Sequence, residues 1–132
     1  MEYVNLGNTG LKVSKICLGC MGFGSETVGG IPGKTNEEDA REIIKYSLDQ
    51  GINFFDTANY YSMGLSEEIL GRAIKDFGNR DDVVIATKLY YPMHEGINAK
   101  GLNRKTIFAE VENSLKRLQM DYVDLYILHR WD

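Results

Sequence analysis

Apolar and polar positions along the chain alternate between two rhythms. Near-continuous apolar runs at 15–18, 52–57 (INFFDT), 82–88 (DVVIATK) and 122–129 (YVDLYILH) read as strands buried on both faces. Between them the apolar residues fall at helical spacing. The first helical segment starts at Thr35, where T-N-E-E predicts a capping box between Thr35 and Glu38, and runs through Ile43, Ile44 and Leu48 to Gly51. The second starts at Ser66 as cap and ends at Gly78. The third has Asn103 as cap and an apolar stripe at Ile107, Val111, Leu115 and Leu118. Ahead of all these, 4–6 and 11–13 flank G-N-T-G and predict a β-hairpin. Gly19, Gly22 and Gly24 follow the first long-range strand and leave its exit open to close approach.

The strands begin near residues 15, 52, 82 and 122, so strand and helix repeat every thirty to forty residues. Buried strands separated by amphipathic helices predict an α/β fold, a parallel sheet covered by helices. Periodicity alone leaves open whether four such units form a small open sheet or half of an eight-stranded barrel.

Alternate side chains of a strand share a face, so Phe54 goes with Asp56, Val84 and Ala86 with Lys88, and Val123, Leu125 and Ile127 with His129. Three strands thus each end in one ionisable group on an otherwise apolar face. Taken singly, Asp56 reads as well as a turn cap in D-T-A-N, Lys88 as an exposed strand end and His129 as a satisfied core histidine. Their shared position at the carboxyl ends of parallel strands, where loops converge on one opening, points to a site. Tyr61, five residues after Asp56, adds a phenol on the loop above the same strand.

Asp56-Thr57-Ala58 with Tyr61, S-E-E-I-L-G-R-A-I (66–74), A-T-K (86–88) and Y-V-D-L-Y-I-L-H (122–129), together with L-G-x-M-x-F-G (18–24), resemble the aldo-keto reductases, nearest their bacterial and potassium-channel-β-subunit-like branch. The resemblance spans essentially the whole chain. It implies the first four βα units of a (β/α)8 TIM barrel preceded by the hairpin, and an oxidoreductase that reduces aldehydes or ketones with NADPH. The family's catalytic tetrad falls on Asp56, Tyr61, Lys88 and His129. By the same resemblance Cys20, Met21 and Asp56 touch the cofactor, and Tyr61, His129 and Trp131 the substrate; Tyr60, Tyr90 and Tyr91 read equally as further pocket aromatics or as half-buried loop residues. One departure stands out: Ser62-Met63-Gly64 follows Tyr61, where the family more often has glycine directly after the tyrosine.

These residue types suit carbonyl reduction. A free phenol ionises near 10, too high for an ideal acid, and an ammonium beside it favours the phenolate. That is the role expected of Lys88, with Asp56 paired to it and His129 orienting the carbonyl oxygen. Tyr61 is then the general acid.

Composition excludes more than it adds. A net charge of −4 with scattered basic residues gives no footprint for nucleic acid or an anionic membrane. No apolar run reaches the roughly twenty residues of a bilayer span, and the amino terminus lacks a signal-peptide core. A cytoplasmic protein with a small carbonyl substrate is expected. Cys17 and Cys20 form C-x-x-C, but outside the helix start of a thioredoxin-type pair, and His94 and His129 are not spaced to complete a zinc site, so no metal is expected.

Length changes the picture most. The 132 residues suit one domain, yet a complete barrel takes about 250 and eight βα units. Four units leave out the loops after strands seven and eight, where barrels hold phosphate. Three expectations follow: an amino-terminal piece of a reductase, a half-length protein that pairs with itself, or a non-enzymatic interaction module. A lone half-barrel exposes sheet edges and one side of its interior, so homo-oligomerisation and weak or absent turnover are expected of it.

Overall fold

A computed structural model describes residues 1–24, 27–28 and 31–132; for 27, 28, 31 and 32 it describes the backbone alone. The hairpin forms as β1 (Tyr3–Asn5) and β2 (Lys12–Ser14), paired antiparallel with Val4 opposite Val13. The first long-range strand, β3 (Leu18–Gly19), is shorter than the apolar run at 15–18 predicts, and Ile16 is exposed. Pairing begins only at Leu18, opposite Phe55, and sets Gly19 opposite Asp56. After the glycine-rich exit, β4 (Thr27–Val28) and β5 (Ile31–Pro32) make a short hairpin that the sequence pattern does not announce.

The first helix, α1 (Glu37–Asp49), is capped by Asn36, whose side chain accepts from the Asp39 amide, and not by Thr35. T-N-E-E-D offers both cap registers. Thr35 is drawn out of the helix by its backbone, which donates to the Gly22 carbonyl and accepts from the Gly24 amide. The strand β6 (Phe54–Asp56) leads through a 3₁₀ turn at Tyr61–Gly64 into α2 (Leu65–Phe77), which starts one residue before the expected cap Ser66. A second 3₁₀ turn, Arg80–Asp82, precedes β7 (Val84–Leu89); α3 (Arg104–Leu118), capped by Asn103, and β8 (Leu125–Leu128) complete the order.

The main sheet is parallel, in the order β3-β6-β7-β8. Its strands are adjacent in sequence order, the arrangement that βαβ units produce when each crossover returns beside its predecessor. One face carries Phe55, Ile85 and Leu89, all fully buried, and its Phe55 and Ile85 pack with Ile44, Ile69, Leu70, Ile74 and Leu118 into a single core under the helices. On the opposite face Phe54, Leu125 and Ile127 are only half-buried. The second and third helices lie so close that a Cβ on Gly71 would sit 2.2 Å from the Leu118 carbonyl oxygen, which leaves room for glycine alone.

The third helix turns a different stripe inward from the one its apolar residues suggest. Thr106, Glu110, Ser114 and Leu118 are buried, whereas Ile107, Val111 and Leu115 are half-buried. The polar stripe faces inward because buried partners await it: Glu110 accepts from Asn59, and Arg117, the residue before Leu118, reaches Glu67.

Candidate active site

Strand register builds a staircase at the carboxyl end of the sheet. Asp56 lies opposite Ala86 and Lys88 opposite Ile127, so each ionisable group stands two residues further along than the one on the strand before, with His129 at the top. The Lys88 ammonium spans the lower steps. It donates to Asp56 Oδ2 at 2.7 Å, to the Thr57 carbonyl at 2.9 Å and to the Tyr61 hydroxyl at 3.1 Å, which uses all three of its donors. Because Tyr61 accepts there, its own proton remains available, and no acceptor takes it among the described residues. Lys88 also sits 4.7 Å from the Tyr61 ring centroid.

His129 closes the group. Its backbone amide donates to the Leu89 carbonyl at 3.0 Å, and its ring meets Tyr61 edge-on at 5.7 Å and Tyr91 at 5.2 Å between centroids. Burial first, then the Lys88 and Arg130 charges, hold its pKa below the ordinary 6.5, against a smaller opposing pull from Asp56. The imidazole is therefore neutral at pH 7 and offers one N–H donor. Its Nδ1 is buried without a partner among the described residues.

The four tetrad positions thus come together. Of the other predicted residues, Tyr91 packs on Tyr60 at 4.7 Å and on Tyr90 at 5.3 Å, and its hydroxyl accepts from Arg130 Nε at 2.7 Å, so a tyrosine wall flanks His129. Trp131 is 97% exposed and Met21 half-exposed. Cys20 is fully buried; its amide donates to the Asp56 carbonyl, and burial, reinforced by the Asp56 carboxylate, pushes its thiol far up. Cys17 is exposed and free, yet partial desolvation and Asp56 push it up to about 11. At both positions the surroundings disfavour the thiolate, the reactive form of a cysteine.

Sequence reasoning missed the residues beneath the tetrad. Ser66, expected as a cap, instead donates to the Cys20 carbonyl at 2.8 Å. Asn59, fully buried, donates its amide to the Lys88 carbonyl at 3.1 Å and its side chain to Glu110 Oε2 at 2.8 Å. Glu67, also fully buried, accepts from Thr87 and from Arg117 Nε. A polar stripe at spacing four on α3 (Thr106, Glu110, Ser114) was the available signal, since three such residues on one helix face imply buried partners when that face packs inward.

Tyr61 enters its place through an unusual backbone. Ser62 (φ 48°), Met63 (φ 51°) and Gly64 (φ 95°) are successive left-handed residues. For a residue with a side chain this conformation costs about 1–2 kcal/mol. The departure noted after Tyr61 is thus a strained turn.

Comparison with known proteins matches this arrangement. The aldo/keto reductase family model covers residues 15–132. "Aldo-keto reductase YhdN" of Bacillus subtilis is 46% identical over 98% of this chain and 38% of its own length. A "probable voltage-gated potassium channel subunit beta" of Oryza sativa subsp. japonica is 42% identical over 100% of this chain and 38% of its own. Among solved structures, the holo form of aldo-keto reductase AKR11C1 from Bacillus halodurans superposes with a TM-score of 0.80 at 37% identity, over 97% of this chain and 40% of that one. The chain spans about two fifths of the length of these relatives, and its βα units with the preceding hairpin form half of their barrel. With fold, motifs and relatives in agreement, the chain belongs to the aldo/keto reductase family.

Proposed function

We propose that the tetrad reduces aldehydes or ketones to alcohols with NADPH. The observation that carries this is Lys88 Nζ, which joins the Asp56 carboxylate and the Tyr61 phenol within one hydrogen-bonding sphere.

The chemistry of the donor set fits the nicotinamide end of such a cofactor. His129 Nδ1 is a buried polar atom without a partner among the described residues, and the Asp56 side chain keeps 31% of its surface open. Asp56 would hold the ribose. Cys20 has both backbone groups engaged, its carbonyl by Ser66 and the Phe23 amide, so with Met21 it would contribute contact surface and no further hydrogen bond. Lys88 has all three donors committed to oxygens and is not free to hold a phosphate, and Arg130 gives its Nε–H to Tyr91. When bound, a reduced nicotinamide supplies the hydride that no side chain can.

The chain's own residues handle the proton. A neutral His129 donates to the substrate carbonyl oxygen and orients it without itself being the acid. Tyr61 transfers its hydroxyl proton to that oxygen as the carbonyl carbon is reduced. The phenolate left behind is stabilised by the Lys88 hydrogen bond, and the ion pair with Asp56 keeps the ammonium aimed. Trp131 and the tyrosine wall would line the substrate. The 132-residue polypeptide by itself would turn over weakly or not at all, and its half-buried inner sheet face would favour self-association.

The test is Tyr61→Phe in the full-length protein. Loss of the acid lowers kcat about 10²–10⁴-fold and leaves NADPH binding, read by quenching of tryptophan fluorescence, near wild type. Near-native turnover would overturn the assignment.

A further inference from the structure

The strained turn after Tyr61 also reaches the other side of the site. Ser62 Oγ donates to the Phe23 carbonyl at 3.0 Å, and Ser66 Oγ, one helical turn on, donates to the Cys20 carbonyl at 2.8 Å. Ser66 has a single hydroxyl proton, so its 2.9 Å contact with Thr57 Oγ1 is donated by Thr57. Thr57 in turn lends its carbonyl to Lys88. The turn at 20–23, which bears Cys20 and Met21, therefore hangs two carbonyls on two hydroxyls from the segment that begins at the phenol. Cys20, Phe23, Ser62 and Ser66 are all buried. The fit at Ser62 is tight, since a Cβ on Gly24 would lie 2.6 Å from Ser62 Oγ. Glycine at position 62 would adopt the left-handed conformation without strain but would bring no hydroxyl to Phe23.

We propose that Ser62, seconded by Ser66, is a positioning residue that clasps Tyr61 to the turn at 20–23, so that the proton donor and the cofactor-side surface hold one fixed separation. This rests on Tyr61 being the acid and on that turn bordering the nicotinamide. Ser62 touches neither substrate nor cofactor and acts through its neighbour. Displacements near 1 Å at reacting groups cost about 10²-fold in rate, so a loosened clasp shows in turnover before it shows in binding.

The experiment compares Ser62→Ala, Ser62→Gly, Tyr61→Phe and the double variant Tyr61→Phe/Ser62→Gly in the full-length protein. Alanine keeps the strain and glycine relieves it, while both lack the hydroxyl. We expect both to lower kcat by about tenfold, a partial share of that 10²-fold, with the carbonyl KM changed by less than about twofold, although Ser62→Gly melts higher than Ser62→Ala. The rate follows the hydroxyl and stability follows the backbone. Adding Ser62→Gly to Tyr61→Phe causes no further loss, because the clasp works through the phenol. In the cofactor-free protein, amide hydrogen exchange at Phe23 and Gly24 quickens in both Ser62 variants. Wild-type kcat in Ser62→Gly, a loss that multiplies with that of Tyr61→Phe, or unchanged exchange overturns the clasp. If Tyr61→Phe itself retains turnover, the assignment of the acid fails whatever Ser62 does; if only Tyr61→Phe is impaired, the clasp alone fails.

Discussion

The two ends of the same four strands use polar side chains in opposite ways. At the amino-terminal end, side chains serve the backbone. Asn53 accepts from the Ser14 amide and donates to the Lys12 and Asp82 carbonyls, and Asp124 Oδ2 accepts from the Ile85 amide and from Arg80. Arg80 goes on to the Val83 and Tyr122 carbonyls and lies 3.9 Å over the Tyr122 ring, while its buried Nε has no partner among the described residues. At the carboxyl end, side chains serve one another: Lys88 binds Asp56 and Tyr61, and His129 keeps a buried nitrogen open. The first pattern closes off the backbone groups of loops and strand ends and so contributes stability. The second leaves a proton and an acceptor unspent, as a reacting site must. Polar residues at strand ends are thus sorted by what they bond to, more than by their type.

The sharpest break in this contrast is Lys88→Met. It takes the cation from Asp56 and Tyr61 together, and kcat falls about 10²–10⁴-fold, comparable to losing the acid itself; stopped-flow turnover measures it. At the other end, Asp124→Ala unpairs Arg80 and strands the Ile85 amide, which is fully buried. Unfolding in urea then shows a loss of about 2–3 kcal/mol while kcat per folded molecule is unchanged.

A smaller effect comes from His129, whose folded-state pKa is lowered. As pH falls below about 6.5 the unfolded chain takes up this proton before the folded one, so stability is present above that value and is lost between it and the lower folded value. His129→Gln flattens this part of the stability curve, measured by thermal unfolding between about pH 5 and 7. An unchanged slope would mean that the imidazole is not held neutral by its surroundings.

The sheet and the shared position of Asp56, Lys88 and His129 were legible because both depend on period, whereas Tyr61, on a loop, was assigned to the tetrad through the family resemblance. Alternation fixes which face a strand residue takes, and βα repetition fixes which end the loops share, so Asp56, Lys88 and His129 could be aligned before any coordinates. Features set by competition among several partners were not. Thr35 and Asn36 are both competent caps, and pairing with Gly22 and Gly24 decides between them. Ser66 looks like a cap because serine before E-E usually is one, but the left-handed turn at 62–64 delivers the chain into α2 earlier and frees its hydroxyl for Cys20. On α3, burial follows the ionic partners Glu67, Glu110 and Arg117 more closely than the apolar stripe. The partners off that helix, Asn59 for Glu110 and Glu67 for Arg117, lie 51 and 50 residues away in sequence, beyond the reach of local pattern.

The claim that reaction and stability are separated between the two ends is tested most directly by measuring kcat and urea unfolding together for Tyr61→Phe and Asp124→Ala. The account predicts a crossed result: Tyr61→Phe loses turnover and keeps its unfolding free energy within about 0.5 kcal/mol, whereas Asp124→Ala loses stability and keeps turnover. Near-native turnover in Tyr61→Phe, or both variants losing both properties alike, would contradict it.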